Sequence, residues 1–303
     1  MKILNFGSCN IDLVYSVGSI VCPGETIAAT ALNRYPGGKG LNQSVALARA
    51  GAPVYHAGCI GEDGDFLLNY MKDSGVDLTH LYRTADSTGQ AFIQVAECGE
   101  NSIVVYHGAN YAVTRATVDE VLGAFSAGDI LLLQNEISEV EYIIERAHAL
   151  GMKIFLNPSP LDEKIKSIDL NKIYCLIVNS HEAEGFATEY TADESAAGAE
   201  RAKGFIGEMR RKHPALTAVV TLGSSGAVWF DSEREVFQPS FKVRAVDTTG
   251  AGDTFTGYFL ASFARGESIE AALYIASLAA SVAVSREGAA SSIPKISELG
   301  KML

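Results

Sequence analysis

The stretch of the chain best suited to chemistry is Asp247-Thr248-Thr249-Gly250-Ala251-Gly252-Asp253-Thr254-Phe255, which runs into an apolar-periodic helix through Phe259 and Ala264. Glycines at 250 and 252 let backbone N–H groups converge, and the first helical turn adds more unpaired donors. Such a nest, with the helix dipole behind it, suits the oxygens of a phosphoryl group in transfer, while Asp253 projects from the same turn toward an attacking hydroxyl. The stretch also reads as plain N-capping, since Asp is favoured early in a helix. A helix N-terminus favours the ionised carboxylate and makes Asp253 a weak base for an alcohol. Phosphoryl transfer tolerates that, because its loose transition state rests on positioning and charge stabilisation.

A second glycine-rich stretch is Pro36-Gly37-Gly38-Lys39-Gly40-Leu41-Asn42-Gln43. Its glycines open a helix to close approach by a ligand, and Lys39 and Asn42, three apart, share one helix face. A hydroxyl-rich substrate fits there; a helix start with an exposed Lys is the competing reading. It is not a Walker loop, which needs Gly at Asn33 and Ser or Thr at Gly40. At the start of the chain, Gly7-Ser8-Cys9-Asn10-Ile11-Asp12 sets Asn10 and Asp12 where the backbone leaves the first strand. An amide beside a carboxylate is a sugar-hydroxyl pair, or a plain Asx-turn. A dinucleotide fingerprint is missing, because Gly250-x-Gly252 would need Gly at Phe255.

These groups need a scaffold. Short apolar runs at residues 2–6, 54–60, 130–134, 153–157, 175–179 and 218–222 predict buried strands. Helical periodicity predicts helices at 41–50, 65–74, 140–150 and 197–212, and an apolar run at 271–284 suits a helix packed on a sheet. Strand and helix in alternation give a mainly parallel sheet covered by helices on both faces, with ligands beyond the carboxyl ends of its strands. Residues 11–35 and 88–110 break the rhythm. Both look antiparallel, and Phe92 to Ala96, the turn Gly99-Glu100-Asn101 and Ile103 to Tyr106 form a hairpin. We expect one core domain over 1–303, with these insertions as a small β-sheet lid that can also pair between subunits.

Composition limits the partners. The 303 residues are 48% hydrophobic and 20% charged, which gives a globular chain, and the formal charge of −12 argues against duplex nucleic acid and an anionic membrane surface. An anionic ligand must then be met by local donors or a metal. Cys9, Cys22, Cys59, Cys98 and Cys175 are odd in number and form no C-x-x-C pair, which fits a reduced, cytoplasmic setting. Residues 1–21 carry Asp12 and repeated polar residues in place of an unbroken signal-peptide run, and 271–284 is too short for a bilayer. The six histidines show no metal-ligand spacing, so catalytic zinc is not expected.

Taken together, the motifs resemble the carbohydrate kinases of the ribokinase family, often called the PfkB family. Gly7-Ser8-x-Asn10-x-Asp12, Pro23-Gly24-Glu25-Thr26, Gly37-Gly38-Lys39-Gly40-x-Asn42 and Asp247-Thr248-x-Gly250-Ala251-Gly252-Asp253 occur in family order and span nearly the whole chain. Thr88-Gly89, Gly99-Glu100-Asn101 and Gly108-Ala109-Asn110 are similar to the lid of its ribokinase branch. The resemblance implies the three-layer ribokinase-like α/β fold and a phosphotransferase with an alcohol acceptor. It would use MgATP on a sugar primary hydroxyl, D-ribose first. A nucleoside, deoxyribose or another furanose is the alternative acceptor, and a non-catalytic sugar-binding protein the reading from another class.

By that similarity Asp253 is the base, and the N–H groups of Gly250, Ala251 and Gly252 form the anion hole. Asn10, Asp12, Gly38, Lys39, Asn42 and Glu136 would hold the sugar, with Ile93 of the lid as an apolar contact. Asn179 and Glu182 match the family's Asn-x-x-Glu motif for the water shell of Mg²⁺, or else cap a helix. Thr221, Gly223 and Gly226 would lie along the nucleotide, as would Ser277, where several ribokinases carry an Asn near the adenine. Asp247, Thr249, Ala283, Arg286, Gly288 and Ser292 match a monovalent-cation site for K⁺ as activator, with Gly288 as a helix-ending αL cap the competing reading. The resemblance also implies a homodimer clasped through the lid.

Overall fold

The computed structural model of the chain describes residues 1–187 and 199–300. Its first part runs β1 (Ile3–Phe6), β2 (Asn10–Val17), β3 (Ala31–Gly37), α1 (Lys39–Arg49), β4 (Val54–Ile60), α2 (Asp65–Asp73), β5 (Asp77–Arg83), β6 (Gly89–Ala96) and β7 (Asn101–Tyr106). The middle holds α3 (Arg115–Leu122), β8 (Ile130–Gln134), α4 (Val140–Ala149), β9 (Lys153–Asn157), α5 (Glu163–Lys166), β10 (Cys175–Asn179) and α6 (Ser180–Phe186). The last part comprises α7 (Ala199–Lys212), β11 (Thr217–Thr221), β12 (Ala227–Phe230), β13 (Glu235–Gln238), α8 (Ala251–Ala264), α9 (Ile269–Ala283) and α10 (Ile296–Leu299). The expected start of α7 at Ala197 lies outside the described residues.

Among the described residues the main sheet has nine strands in the order β13-β12-β11-β10-β9-β8-β1-β4-β5. From β5 to β11 all pairs are parallel, and β12 and β13 close one edge as an antiparallel hairpin. The reason is plain in β8. Ile130 and Leu132 point into one core layer and Leu131 and Leu133 into the other, all four fully buried. Period-two alternation between two covered faces yields a continuous apolar run, and each such side chain contributes about 1.5–3 kcal/mol. The hairpin β12/β13 and the half-exposed β5 carry weaker patterns and were not anticipated.

Chain direction along the sheet reverses beside β1. From β1 the chain builds outward through β4 and β5, then returns to β8 on the other flank and continues to β11. The carboxyl ends of β1 and β8 therefore flank a topological switch point, where an open α/β sheet leaves a crevice. Helices α1 and α8 both start at that end and cross closely on one face. A Cβ at Gly257 of α8 would sit 2.4 Å from Ala46 Cβ and 2.9 Å from Leu47 N of α1, so only glycine permits the contact.

The two insertions form a second sheet, β3-β2-β6-β7. Each is an antiparallel hairpin, as expected, but the hairpins join through a parallel β2/β6 pair. Both leave the carboxyl end of a parallel strand, so their first strands share a direction. Asp12 and Tyr35 share a face of this sheet with Ile93, Ile103 and Val105, while Leu32, Phe92, Val104 and Tyr106 lie on the other. Val104 is 65% and Ile103 53% exposed, an apolar load unusual for a solvated sheet. No helix among the described residues is long and apolar enough to cross a membrane.

The α1/α8 crossing makes a direct test. Gly257→Val should cost about 1–3 kcal/mol in urea unfolding, as overpacked cores do, and lower activity because α1 carries Asn42 and Gln43. An unchanged unfolding midpoint would mean that the helices part freely.

Candidate active site

Four segments meet at the switch point: the β1–β2 connection, the start of α1, the end of β8 and the start of α8. Gly38, with φ 90°, turns the chain from β3 into α1, which begins at Lys39, two residues before the expected start. The cap comes from another element. Glu136, just beyond β8, accepts the Lys39 N–H at 2.9 Å and the Ser8 hydroxyl with the same oxygen. A distant carboxylate at a helix N-terminus satisfies its donors and dipole, and local sequence cannot show it.

Asp253 lies in the first turn of α8, 8% exposed. Its Oδ2 accepts from Asn42 Nδ2 and its Oδ1 from Gln43 Nε2, both at 2.9 Å. The carboxylate thus fixes the Asn42 amide with its nitrogen toward Asp253, which leaves Asn42 Oδ1 buried without a partner. An orphaned buried acceptor is costly unless a ligand or water hydroxyl donates to it, so this site fits a polyol. Asn42 therefore faces the site as the helix spacing predicted. Asn10 Oδ1 accepts from Asn110 Nδ2 at 2.7 Å, and Asn110 Oδ1 takes the Cys9 N–H at 2.9 Å. This pair pins the base of the small sheet, and Asn10 is nearly buried.

Four carboxylates surround one ammonium. Burial, then Glu136 and Asp253, push the Asp12 carboxyl up to about 7 despite Lys39. Burial alone would lower Lys39, but Asp253, Glu136, Glu182 and Asp12 together hold it above its ordinary value. Asp12 and Ile93 share the face of the small sheet that carries Gly37 at its base, and a Cβ on Gly37 would collide with the Asp12 carboxyl.

On the other side of the α8 start lies a cavity of about 470 Å³. Thr221, Gly223, Gly226 and Ser277, expected along a nucleotide, line it with Ala251 and Gly252. A Cβ on Gly252 or Gly223 would meet no protein atom within 4 Å, so the glycines leave room that the protein itself does not use. The lining also takes in Ser240, Phe241, Lys242 and Val243, a stretch without motif or periodicity that sequence reasoning missed.

Asn179 and Glu182 form a capping box: Asn179 Oδ1 accepts the Glu182 N–H at 2.9 Å and Glu182 Oε2 the Asn179 N–H at 3.0 Å. Glu182 is nonetheless buried and acts on Lys39, so the cap also aims its charge at the site. Asp247 bridges two loops, its Oδ1 accepting from Thr249 N and its Oδ2 from Gly288 N, both at 2.9 Å. Burial opposes its charge, yet these hydrogen bonds hold the carboxyl below its usual value. Gly288 has the positive φ expected of it, 86°, but lies beyond the end of α9 and caps no helix. The Ala283 carbonyl accepts the Arg286 N–H at 3.0 Å, the Arg286 guanidinium turns to Glu298, and the Ser292 hydroxyl donates to Ala289 O. A cation here would be held mainly by backbone carbonyls, with Asp247 the nearby negative charge.

A carboxylate at a helix N-terminus thus lies between a polar crevice and a cavity of about 470 Å³ at the switch point of an α/β sheet, an arrangement suited to group transfer between two bound molecules. Residues 1–296 match the model of the pfkB family carbohydrate kinases. A ribokinase of Bacillus subtilis is 38% identical over 302 residues, covering 98% of this chain and 97% of the relative. The ribokinase of Cryptococcus neoformans, solved in complex with ADP, superposes with a TM-score of 0.89 at 32% identity, covering 100% of this chain and 99% of the other. The Arabidopsis thaliana ribokinase, solved with ribose and ATP, gives 0.84 at 28% identity, covering 99% and 98%. The chain belongs to the pfkB family of carbohydrate kinases, with the ribokinase fold. It is a sugar kinase, a phosphotransferase with an alcohol acceptor.

The raised Asp12 carboxyl has a sign that can be checked. From its ordinary value of 3.8 up to about 7, the folded protein keeps a proton that the unfolded chain releases, so this group's contribution to stability falls as pH rises through that window. Asp12→Asn removes the penalty. In thermal melts without ligand, the variant should gain on the wild type between pH 5 and pH 8, and a pH-independent difference would contradict the assignment.

Proposed function

We propose that the protein transfers the γ-phosphoryl group of MgATP to the primary hydroxyl of D-ribose, giving D-ribose 5-phosphate. The observation that carries this reading is the Asp253 carboxylate, held by two amide donors at the start of α8 between crevice and cavity. The sugar hydroxyl oxygen forms the new bond to phosphorus, the bond to the β–γ bridging oxygen breaks, ADP leaves, and Asp253 takes the hydroxyl proton. The N–H groups of Gly250, Ala251 and Gly252 receive the phosphoryl oxygens as their charge shifts.

Asn10, Asp12, Gly38, Lys39, Asn42 and Glu136 hold the sugar, and Asn10 also pins the base of the lid through Asn110. Ile93 supplies an apolar contact from the lid face that also carries Asp12. Thr221, Gly223, Gly226 and Ser277 accommodate the nucleotide. Asn179 and Glu182 hold the water shell of Mg²⁺, which when bound neutralises phosphate charge. Asp247, Thr249, Ala283, Arg286, Gly288 and Ser292 hold K⁺ beside the anion hole. The chain forms one domain over 1–303 whose small sheet, residues 11–35 and 88–110, closes over the sugar and excludes water. Its exposed apolar side chains support a homodimer through the lid. Free cysteines and an acidic surface support a cytoplasmic setting without nucleic-acid or membrane partners.

MgATP-dependent ADP release, measured with and without K⁺ across ribose, deoxyribose, fructose and adenosine, should be strongest with ribose. Preference for adenosine would overturn the acceptor assignment. Asp253→Asn should keep the fold and nucleotide binding while lowering kcat by about 100-fold or more, within the range general-base loss produces. ATP hydrolysis without sugar should be far slower than sugar phosphorylation; comparable rates would rule out a water-excluding lid.

A further inference from the structure

Gln43 holds neither sugar, nucleotide nor metal in the reading above, yet it is fully buried and touches the reacting carboxylate. Its amide is the hub of a polar network inside the sheet core. One N–H donates to Asp253 Oδ1 at 2.9 Å and the other to Asn157 Oδ1 at 3.0 Å, while Oε1 accepts from Gln134 Nε2 at 2.7 Å. Gln134 Nε2 also donates to Asn5 Oδ1 at 2.9 Å, so three buried amides from β1, β8 and α1 run in series.

The direction of this series is set at its ends. Asn5 Nδ2 donates to the Gly40 carbonyl at 2.7 Å, and Asn157 Nδ2 donates to the Ile177 carbonyl at 2.9 Å. A backbone carbonyl only accepts, so both asparagines must turn their oxygens inward. Asn5 Oδ1 then requires the Gln134 nitrogen, Gln134 requires the Gln43 oxygen, and Gln43 is left with its nitrogen toward Asp253. Turning any one amide over would bury a donor against a donor or an acceptor against an acceptor, at a cost of about 1–3 kcal/mol each. Burial pushes His56, at the far end through Ser44, down to about 4, which keeps it neutral and leaves Asp253 the one charged member.

We propose that Gln43 is a positioning residue for phosphoryl transfer, its polarity locked through Asn5, Gln134 and Asn157 by the Gly40 and Ile177 carbonyls, so that Asp253 always meets a donor and is held aimed at the acceptor hydroxyl. This rests on the reading of Asp253 as the base. Asn5, Gln43, Gln134 and Asn157 do not line the cavity and reach the site only through Asp253, so their loss should be felt in turnover and not in ligand affinity. Misplacing a reacting group by about 1 Å costs on the order of 100-fold.

The test compares the full-length wild type, Gln43→Met, Gln134→Met and Asp253→Asn with ribose and MgATP. Gln43→Met should lower kcat by about 10- to 100-fold while both KM values stay within about threefold. Gln134→Met leaves both donors to Asp253 in place and removes only the lock; it should lower kcat by a smaller factor with the same split, and it decides the matter should Gln43→Met not fold. A kcat within twofold of wild type in the folded variants, or a loss matched by the loss of folded protein or by rising KM, would overturn the role of Gln43. Near-normal turnover of Asp253→Asn would instead overturn the reading of Asp253.

Discussion

One carboxylate ties the site together. Asp253 starts α8, yet both of its oxygens are claimed by consecutive side chains of α1, Asn42 and Gln43. Two helices that begin more than two hundred residues apart in sequence are thereby fixed end to end at the mouth of the sheet. The close crossing at Gly257 sets their separation, and the donors set their rotation. Without that contact the glycine-rich starts of α8 and α1 would be independent features with no common meeting point.

Charge follows the same economy. A chain of net charge −12 that handles an anionic nucleotide cannot draw on its overall field. The start of α8 offers backbone N–H groups that carry no formal charge. The crevice adds a single ammonium, Lys39, among Asp12, Glu136, Glu182 and Asp253. This surplus of carboxylates suits a neutral polyol, whose hydroxyls are donors, and burial, with Glu136 and Asp253 adding to it, raises Asp12 into the neutral pH range. Glu182 shows how one residue can serve two ends, capping α6 while reinforcing the charge on Lys39.

The small sheet is attached by specific contacts at its base. Asn10 and Asn110 hold one corner, and Thr88 holds another, its N–H and hydroxyl both donating to Asp63 Oδ1 at 2.9 and 2.6 Å. Beyond these points the strands leave apolar side chains open on both faces. Such a sheet gains stability from whatever covers its apolar faces.

Much of this was legible in the sequence. Continuous apolar runs such as Ile130 to Gln134 identify strands buried on both faces, the glycine-rich starts at 37–40 and 250–252 mark ligand-facing helix ends, and the motif order identifies the family. What the sequence by itself determined were the local choices: periodicity, turn chemistry and the residues that carry charge. Tertiary structure alone decided the pairing of these choices across distance. It caps α1 with Glu136, turns Asn10 toward Asn110, joins the two hairpins in parallel and links Gln43 to Asp253 through amides from separate elements. The physical reason is range: propensity and spacing act over a few residues, whereas a buried hydrogen bond needs a partner that only the folded sheet brings within 3 Å or so.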